Sequence, residues 1–325
     1  MTEERPSLLA KLMKLLGLLV LATALLAMAF HAPDRPLESL ISRWAEAPSD
    51  FVELPVEGGR IQLVHLRDEG PRDDPTPIVL LHGTAASLHT WAGWVSELKT
   101  NRRVITLDLP GFGLTGPSVL GDYSDEAYDH FLQAFLAHLK LGQVVLGGNS
   151  LGGGVAWGYA ARHPEQVAAL VLVDAGNLAI TSEAVPEGFK VPQSRVLRAL
   201  ASTFLPRPLV ERSVKSVYGD PSKVTAALVD RYFELTLREG NRAALAQRLA
   251  QRMPGRFADL LARIQAPTLI LWGGQDRLIP PAAARIFQQQ IRNSRLEIFP
   301  TLGHVPQEED PLSTVRPVQA FLHSL

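Results

Sequence analysis

The apolar run Val144-Val145-Leu146 passes directly into Gly147-Gly148-Asn149-Ser150-Leu151-Gly152-Gly153-Gly154, and a helical pattern over 155–162 follows. Few folds accommodate this order. It calls for a buried strand that ends in a turn sharp enough to lift the Ser150 side chain clear of the backbone. Gly148 and Gly152 flank the serine because a Cβ at either position would meet neighbouring main chain. The helix that follows directs its unpaired N-terminal N–H groups at the turn. A serine held this way is a candidate nucleophile. Its hydroxyl is weak at neutral pH, so it needs a base, an acid that orients the base, and donors for a developing oxyanion.

Each of these has a candidate along the chain. The strand at 77–81 ends in His82-Gly83-Thr84-Ala85-Ala86-Ser87, and the Thr84 and Leu151 N–H groups are the expected oxyanion donors. His82 precedes the turn and reads as structural. Asp276 follows the strand at 268–272 in Gly273-Gly274-Gln275-Asp276, and His304 follows the strand at 296–299 in Gly303-His304. The chain order is therefore Ser150, Asp276, His304, with His304 as base and Asp276 as the acid behind it. Asp174, at the end of the strand at 169–173, is a rival acid. Asp108 lies in a Gly- and Pro-rich turn and is expected to bond local backbone. His130, His138 and His163 sit on or at the ends of helical patterns and read as surface or capping residues. No His-Glu-x-x-His or other metal-ligand spacing occurs, so no metal is expected.

The flanking pattern suits an α/β architecture. Strands are expected at 51–56, 61–67, 78–81, 104–107, 144–146, 169–173, 268–272 and 296–299, with helices at 88–99, 125–140, 155–162, 282–290 and 312–323. Glu57-Gly58-Gly59-Arg60 marks a hairpin between the first two strands. The later strands are almost wholly apolar, as parallel strands covered on both faces must be, and every motif loop falls at their C-terminal ends. Between 177 and 263 the alternation gives way to helices and loops punctuated by proline. This stretch carries fourteen Lys and Arg against eight Asp and Glu, although the whole chain has a net charge of −1. That near-neutral total gives no basis for nucleic-acid binding. The absence of cysteine removes thiol nucleophiles, disulfides and Cys metal sites.

These residues identify a resemblance. From about Val52 to Leu325 the chain is similar to the α/β-hydrolase superfamily, through Leu81-His82-Gly83, Asp108-Leu109-Pro110-Gly111-Phe112-Gly113-Leu114-Thr115, the elbow at 148–152, Gly273-Gly274-Gln275-Asp276 and Gly303-His304. The resemblance implies a mostly parallel eight-stranded sheet flanked by helices, with a helical cap at 177–263 over a core of 51–176 and 264–325. It also implies a Ser150–His304–Asp276 triad, an acyl-enzyme mechanism and no cofactor. Relatives that open epoxides or remove halide use aspartate at the elbow, and Ser150 argues against both reactions. The elbow is also similar to that of hydrolases that cleave carbon–carbon bonds in meta-cleavage products. Thr84-Ala85-Ala86-Ser87 departs from the Gly-rich sequence those enzymes carry after His-Gly.

Residues 15–30 contain no charge and follow Arg5, Lys11 and Lys14. With Leu12 and Met13 they make a helix of about 28 Å, close to a hydrocarbon core of about 30 Å. Residues 1–30 therefore read as an uncleaved membrane anchor with the cationic end in the cytoplasm and the remainder exported. A signal peptide cut after Ala27-Met28-Ala29 is the alternative. Residues 31–50 read as a linker with a short amphipathic helix, since Leu37, Leu40, Ile41 and Trp44 recur at helical spacing. The functional expectation is a membrane-tethered carboxylic ester hydrolase, with a small ester or acyl substrate and membrane lipid, through the N-terminal segment, as its partners. The alternatives are C–C bond hydrolysis and a non-catalytic binding protein on the same fold.

Overall fold

A computed structural model describes residues 8–182, 185–187 and 203–325. All eight expected strands are present: β1 (Ser49–Val56), β2 (Arg60–Glu69), β3 (Ile78–Leu81), β4 (Val104–Leu107), β5 (Val144–Asn149), β6 (Val167–Val173), β7 (Thr268–Gly273) and β8 (Ser294–Phe299). They form one sheet in the order β1-β2-β4-β3-β5-β6-β7-β8. β2 runs antiparallel to both β1 and β4, and from β4 to β8 every pairing is parallel. The β1–β2 turn uses Gly58 and Gly59, both at positive φ.

The inner strands are continuous apolar runs because both faces are covered. Val79 and Leu81 pack into one core layer, while Ile78 and Leu80 point into the other, the two-residue period of a pleated strand. The first layer lies under α4 (Asp125–His138), α5 (Leu151–Arg162) and α9 (Ala282–Gln290). The second lies under α3 (Ala92–Leu98) and α11 (Pro311–His323), which follows the short α10 (Pro306–Glu309). Between β6 and β7 the described residues form α6 (Arg207–Lys215), α7 (Ala226–Thr236) and α8 (Asn241–Gln251). The stretches 183–184 and 188–202 of the expected cap lie outside the described residues.

Two helices differ most from the sequence reading. The helix expected at 88–99 is a 3₁₀ turn, Leu88–Trp91, followed by α3, and the Leu88 N–H that opens the turn is held by Asp108 Oδ1 at 2.7 Å. α5 begins at Leu151 rather than near Val155. Its first turn packs closely on its neighbours: a Cβ on Gly152 would lie 2.1 Å from Leu81 O and one on Gly153 2.7 Å from Ala175 Cβ.

At the N-terminus, α1 (Leu8–Phe30) spans 23 residues, about 34 Å at ~1.5 Å per residue. Its Lys11–Phe30 stretch has mean hydropathy 2.3 and is not buried against the domain. α2 (Glu38–Trp44) then lies on the domain, with Leu40 buried against Leu114 and Leu235. Trp44 Nε1 donates to Glu234 Oε2 at 2.8 Å, and Arg43 pairs with the same carboxylate. β1 begins two residues before the strand expected at 51–56, because Ser49 already pairs with Arg67.

Candidate active site

Ser150 sits between β5 and α5 at φ 54° and ψ −115°. This is a positive φ on a residue with a Cβ, the strain expected of a nucleophile elbow. Its N–H is fixed by Val173 O at 3.0 Å. A Cβ on Gly148 would lie 2.2 Å from Gly152 O, and one on Gly152 would lie 2.1 Å from Leu81 O. Both glycines are therefore required by close approach.

The loops after β7 and β8 bring Asp276 and His304 together. Asp276 Oδ2 and His304 Nδ1 are 2.7 Å apart, and both residues are buried. Asp276 Oδ1 accepts from the Leu278 and Ile279 N–H groups at 2.8 and 2.9 Å, which fixes the carboxylate. With Nδ1–H donating to Asp276, the lone pair of the neutral ring is on Nε2. That nitrogen is buried and makes no hydrogen bond among the described residues. Ser150 and His304 line one cleft of about 810 Å³, which also takes in Thr84. The rest of its wall is largely apolar: Leu205, Leu209, Val210, Val214, Val217, Leu245 and Val305. No hydrogen bond among the described residues occupies the Thr84 or Leu151 N–H groups.

The rival acid lies behind this pair. Asp174, at φ 44°, follows β6 and is fully buried, with Oδ1 accepting from Gly273 N–H at 2.9 Å. Burial and the neighbouring Asp276 charge push its carboxyl well above the usual range, because two adjacent buried carboxylates cannot both ionise cheaply. Asp174, Asp276 and His304 bring ligand-type atoms within 4.8 Å of one another. Those of Asp276 and His304 already face each other across a hydrogen bond.

Other residues singled out from the sequence have local duties. His82 is fully buried; its Nδ1 faces Gly83 O at 2.7 Å and its Nε2 accepts from Leu109 N–H at 2.9 Å. Asp108 binds backbone as expected, at Leu88 and Leu114, and also faces His65 Nδ1 at 2.7 Å. Burial opposes the Asp108 charge, yet His65, with His82 and His89, outweighs it and holds the carboxyl below the usual range. His163 Nε2 meets Asp129 Oδ2 at 3.0 Å, and His130 and His138 lie on α4.

Several positioning residues carried no sequence signal. Asn149 Nδ2 donates to Val173 O and to His304 O at 3.1 and 3.0 Å, joining the elbow to the histidine loop. Glu309 accepts from Gly219, Asp220 and Gly303 N–H groups at 2.8–2.9 Å. Its neighbour Glu308 pairs with Arg231 and accepts from Tyr218 and Tyr232 hydroxyls. The His304 loop is thus bolted to the helical insertion. Most of these contacts join residues far apart in sequence, and of the side chains that make them only Asn149 lies within a motif.

A family model of the α/β hydrolase fold matches residues 76–311. The chain belongs to the α/β-hydrolase fold family. Among curated α/β-hydrolase relatives, it is 32% identical over 257 residues to a 2-hydroxy-6-oxo-2,4-heptadienoate hydrolase of Pseudomonas putida, covering 76% of this chain and 88% of that one. It is 29% identical over 315 residues to the dihydrolipoyllysine-residue acetyltransferase component of an acetoin cleaving system of Pseudomonas putida, covering 92% and 80%. Among solved structures it is similar to a membrane phospholipase A described as a bacterial virulence factor, with a TM-score of 0.71, 26% identity and 96% and 97% of the two chains covered. The protein is accordingly a hydrolase of a family that acts on small-molecule substrates, and it carries one apolar N-terminal helix suited to a membrane anchor or a signal sequence.

Proposed function

We propose that this hydrolase cleaves carboxylic esters through an acyl-enzyme on Ser150, and that α1 tethers it to a membrane with the catalytic domain exported. The observation that carries the reading is the elbow serine sharing an apolar cleft with the free Nε2 of a histidine whose other nitrogen is held by Asp276. Ser150 Oγ attacks the ester carbonyl as Nε2 takes its proton. The carbonyl oxygen becomes an oxyanion facing the Thr84 and Leu151 N–H groups. The tetrahedral species collapses, the C–O bond to the alcohol breaks, and the imidazolium protonates the departing oxygen. Water then repeats the sequence on the acyl-enzyme and releases the acid. Asp276 keeps the imidazole in its working tautomer. The helical insertion acts as the cap, and its aliphatic residues suit an apolar acyl chain. The likeness to a membrane phospholipase A supports both the tether and an ester substrate.

The test is fluorophosphonate labelling in detergent, read by intact mass, with wild type and Ser150→Ala. One adduct on the wild type and none on the variant is expected, followed by turnover of aryl esters that depends on acyl length. Turnover that survives in Ser150→Ala overturns the mechanism. Retention of the chain in membranes after alkaline washing tests the tether. Because of the heptadienoate hydrolase relative, a coloured dienoate belongs in the same assay, and faster turnover of it than of any ester would replace the ester reading with C–C hydrolysis.

A further inference from the structure

Ser150 and Thr84 line two clefts, and the second differs in chemistry from the first. The second measures about 870 Å³ and includes Asn177, Ser182, Arg248 and Arg252, with no carboxylate among its described lining residues. The first is lined by no Lys, Arg, Asp or Glu among the described residues.

Arg248 is the unusual group. It lies on α8 and is only 7% exposed, and buried arginines are ordinarily paired. Its Nε and Nη1 are buried without a hydrogen-bond partner among the described residues. Its charge partner is Asp125, whose Oδ1 forms a long ion pair with Nη2 at 3.9 Å, beyond hydrogen-bond reach, and the guanidinium lies 5.8 Å from the centre of the Tyr128 ring. Arg252 follows one helical turn later, so both cations face the same side of the chain. Two like charges at that spacing repel, and an anion between them relieves the repulsion while supplying acceptors for a planar donor fork. This pair also gives the cationic excess of the insertion a place to act.

We propose that the second cleft is an oxyanion-binding subsite, so that the preferred substrate is an amphiphilic ester. Its carbonyl lies at Ser150, its apolar chain fills the first cleft, and a phosphate or similar anionic group on the far side of the ester meets Arg248 and Arg252. This substrate class rests on the ester-hydrolase reading above, whereas the anion subsite stands on the cleft itself.

Two measurements on the full-length protein in detergent test it. The first compares kcat/KM for a short-chain 1-acylglycerol and for the same acyl chain on glycerol 3-phosphate, both below their aggregation limits. The phosphorylated ester is expected to be favoured about tenfold or more, in line with a charge-assisted hydrogen bond. The preference should shrink towards unity in Arg248→Gln and in Arg252→Gln, the latter being an exposed position that guards against misfolding of the former. Equal kcat/KM for the two esters, or a preference untouched by both substitutions, overturns the substrate class. The second measurement is the rise in Tm with glycerol 3-phosphate and with inorganic phosphate, read with no turnover required. A rise with glycerol 3-phosphate that is lost in both variants supports the subsite even if no ester is cleaved, which keeps failure of the ester reading separate. A rise with inorganic phosphate alone, without ester preference, marks a site for free phosphate and refutes the substrate assignment. No rise with either ligand refutes the subsite.

Discussion

Replacing Asp174 with asparagine tests whether the acid behind Asp276 holds a proton. Asparagine has the shape of a neutral carboxylic acid. Its Oδ1 can keep the bond from Gly273 N–H that Asp174 Oδ1 accepts, and its amide can donate towards Asp276. The folded-state carboxyl of Asp174 is raised by burial and by Asp276. Its contribution to stability is therefore complete below the ordinary carboxylate pKa of about 3.9 and is lost as pH rises towards the folded value. In that window the unfolded chain has given up the proton and the native protein has not. Wild-type stability then falls by about 1.4 kcal/mol per pH unit through this one group. Asparagine does not titrate, so the stability of Asp174→Asn relative to wild type should grow as pH rises above the ordinary carboxylate range, at up to about 1.4 kcal/mol per pH unit. Urea unfolding in detergent at pH 5, 6 and 7, followed by tryptophan fluorescence, measures this difference, and ester turnover should persist. A difference that stays flat across the three pH values would show that Asp174 is ionised in the folded protein. Loss of turnover in the variant would instead return Asp174 to the role of catalytic acid.

Three further substitutions probe how the site is held. Leu40→Ala should cost about 2–4 kcal/mol, because Leu40 is fully buried between α2, Leu114 and Leu235; thermal unfolding that matches wild type would show that α2 is not docked. Glu309→Ala leaves three backbone N–H groups without their acceptor and should cost about 3 kcal/mol. It should also slow fluorophosphonate labelling of Ser150, since the His304 loop loses its hold on the insertion; unchanged stability and labelling would refute this. Gly152→Ala should yield little folded protein, because the new Cβ meets the Leu81 carbonyl; a stable, active variant would mean the elbow relaxes at low cost.

Much of the frame was legible in the sequence because its signals are local. Each inner strand is a run of residues apolar on both faces, such as Ile78–Leu81, and each motif residue follows its strand within a few positions. The hairpin at Gly58-Gly59 and the elbow glycines announce themselves through backbone geometry that other residues resist. What escaped was pairing across long separations. Nothing near His65 signals that its ring faces Asp108, 43 residues away, and nothing near Glu309 signals that it clasps Gly219 and Asp220. The acid reading of Asp174 also failed to anticipate its neighbour. Sequence places Asp174 and Asp276 at the ends of separate strands, and only the pairing of β6 with β7 puts the two carboxyl groups in competition for charge.

The chain leaving α1 does not simply hang from the domain. Phe30 O accepts from Leu205 N–H, Ala32 N–H donates to Thr203 O, and the Arg35 backbone exchanges bonds with Leu237 and Glu239. Leu205 also forms part of the wall of the apolar cleft. Trimming α1 is therefore also an alteration of the cleft that holds Ser150 and His304. Cutting after Ala29 would make Phe30 the first residue and set a free ammonium beside the wall of the apolar cleft. Cutting nearer α2 would remove the backbone bonds that residues 30–35 make to Thr203, Leu205 and Leu237 together. A soluble truncation that loses chain-length preference would then be reporting on a dismantled pocket rather than on the absence of a bilayer.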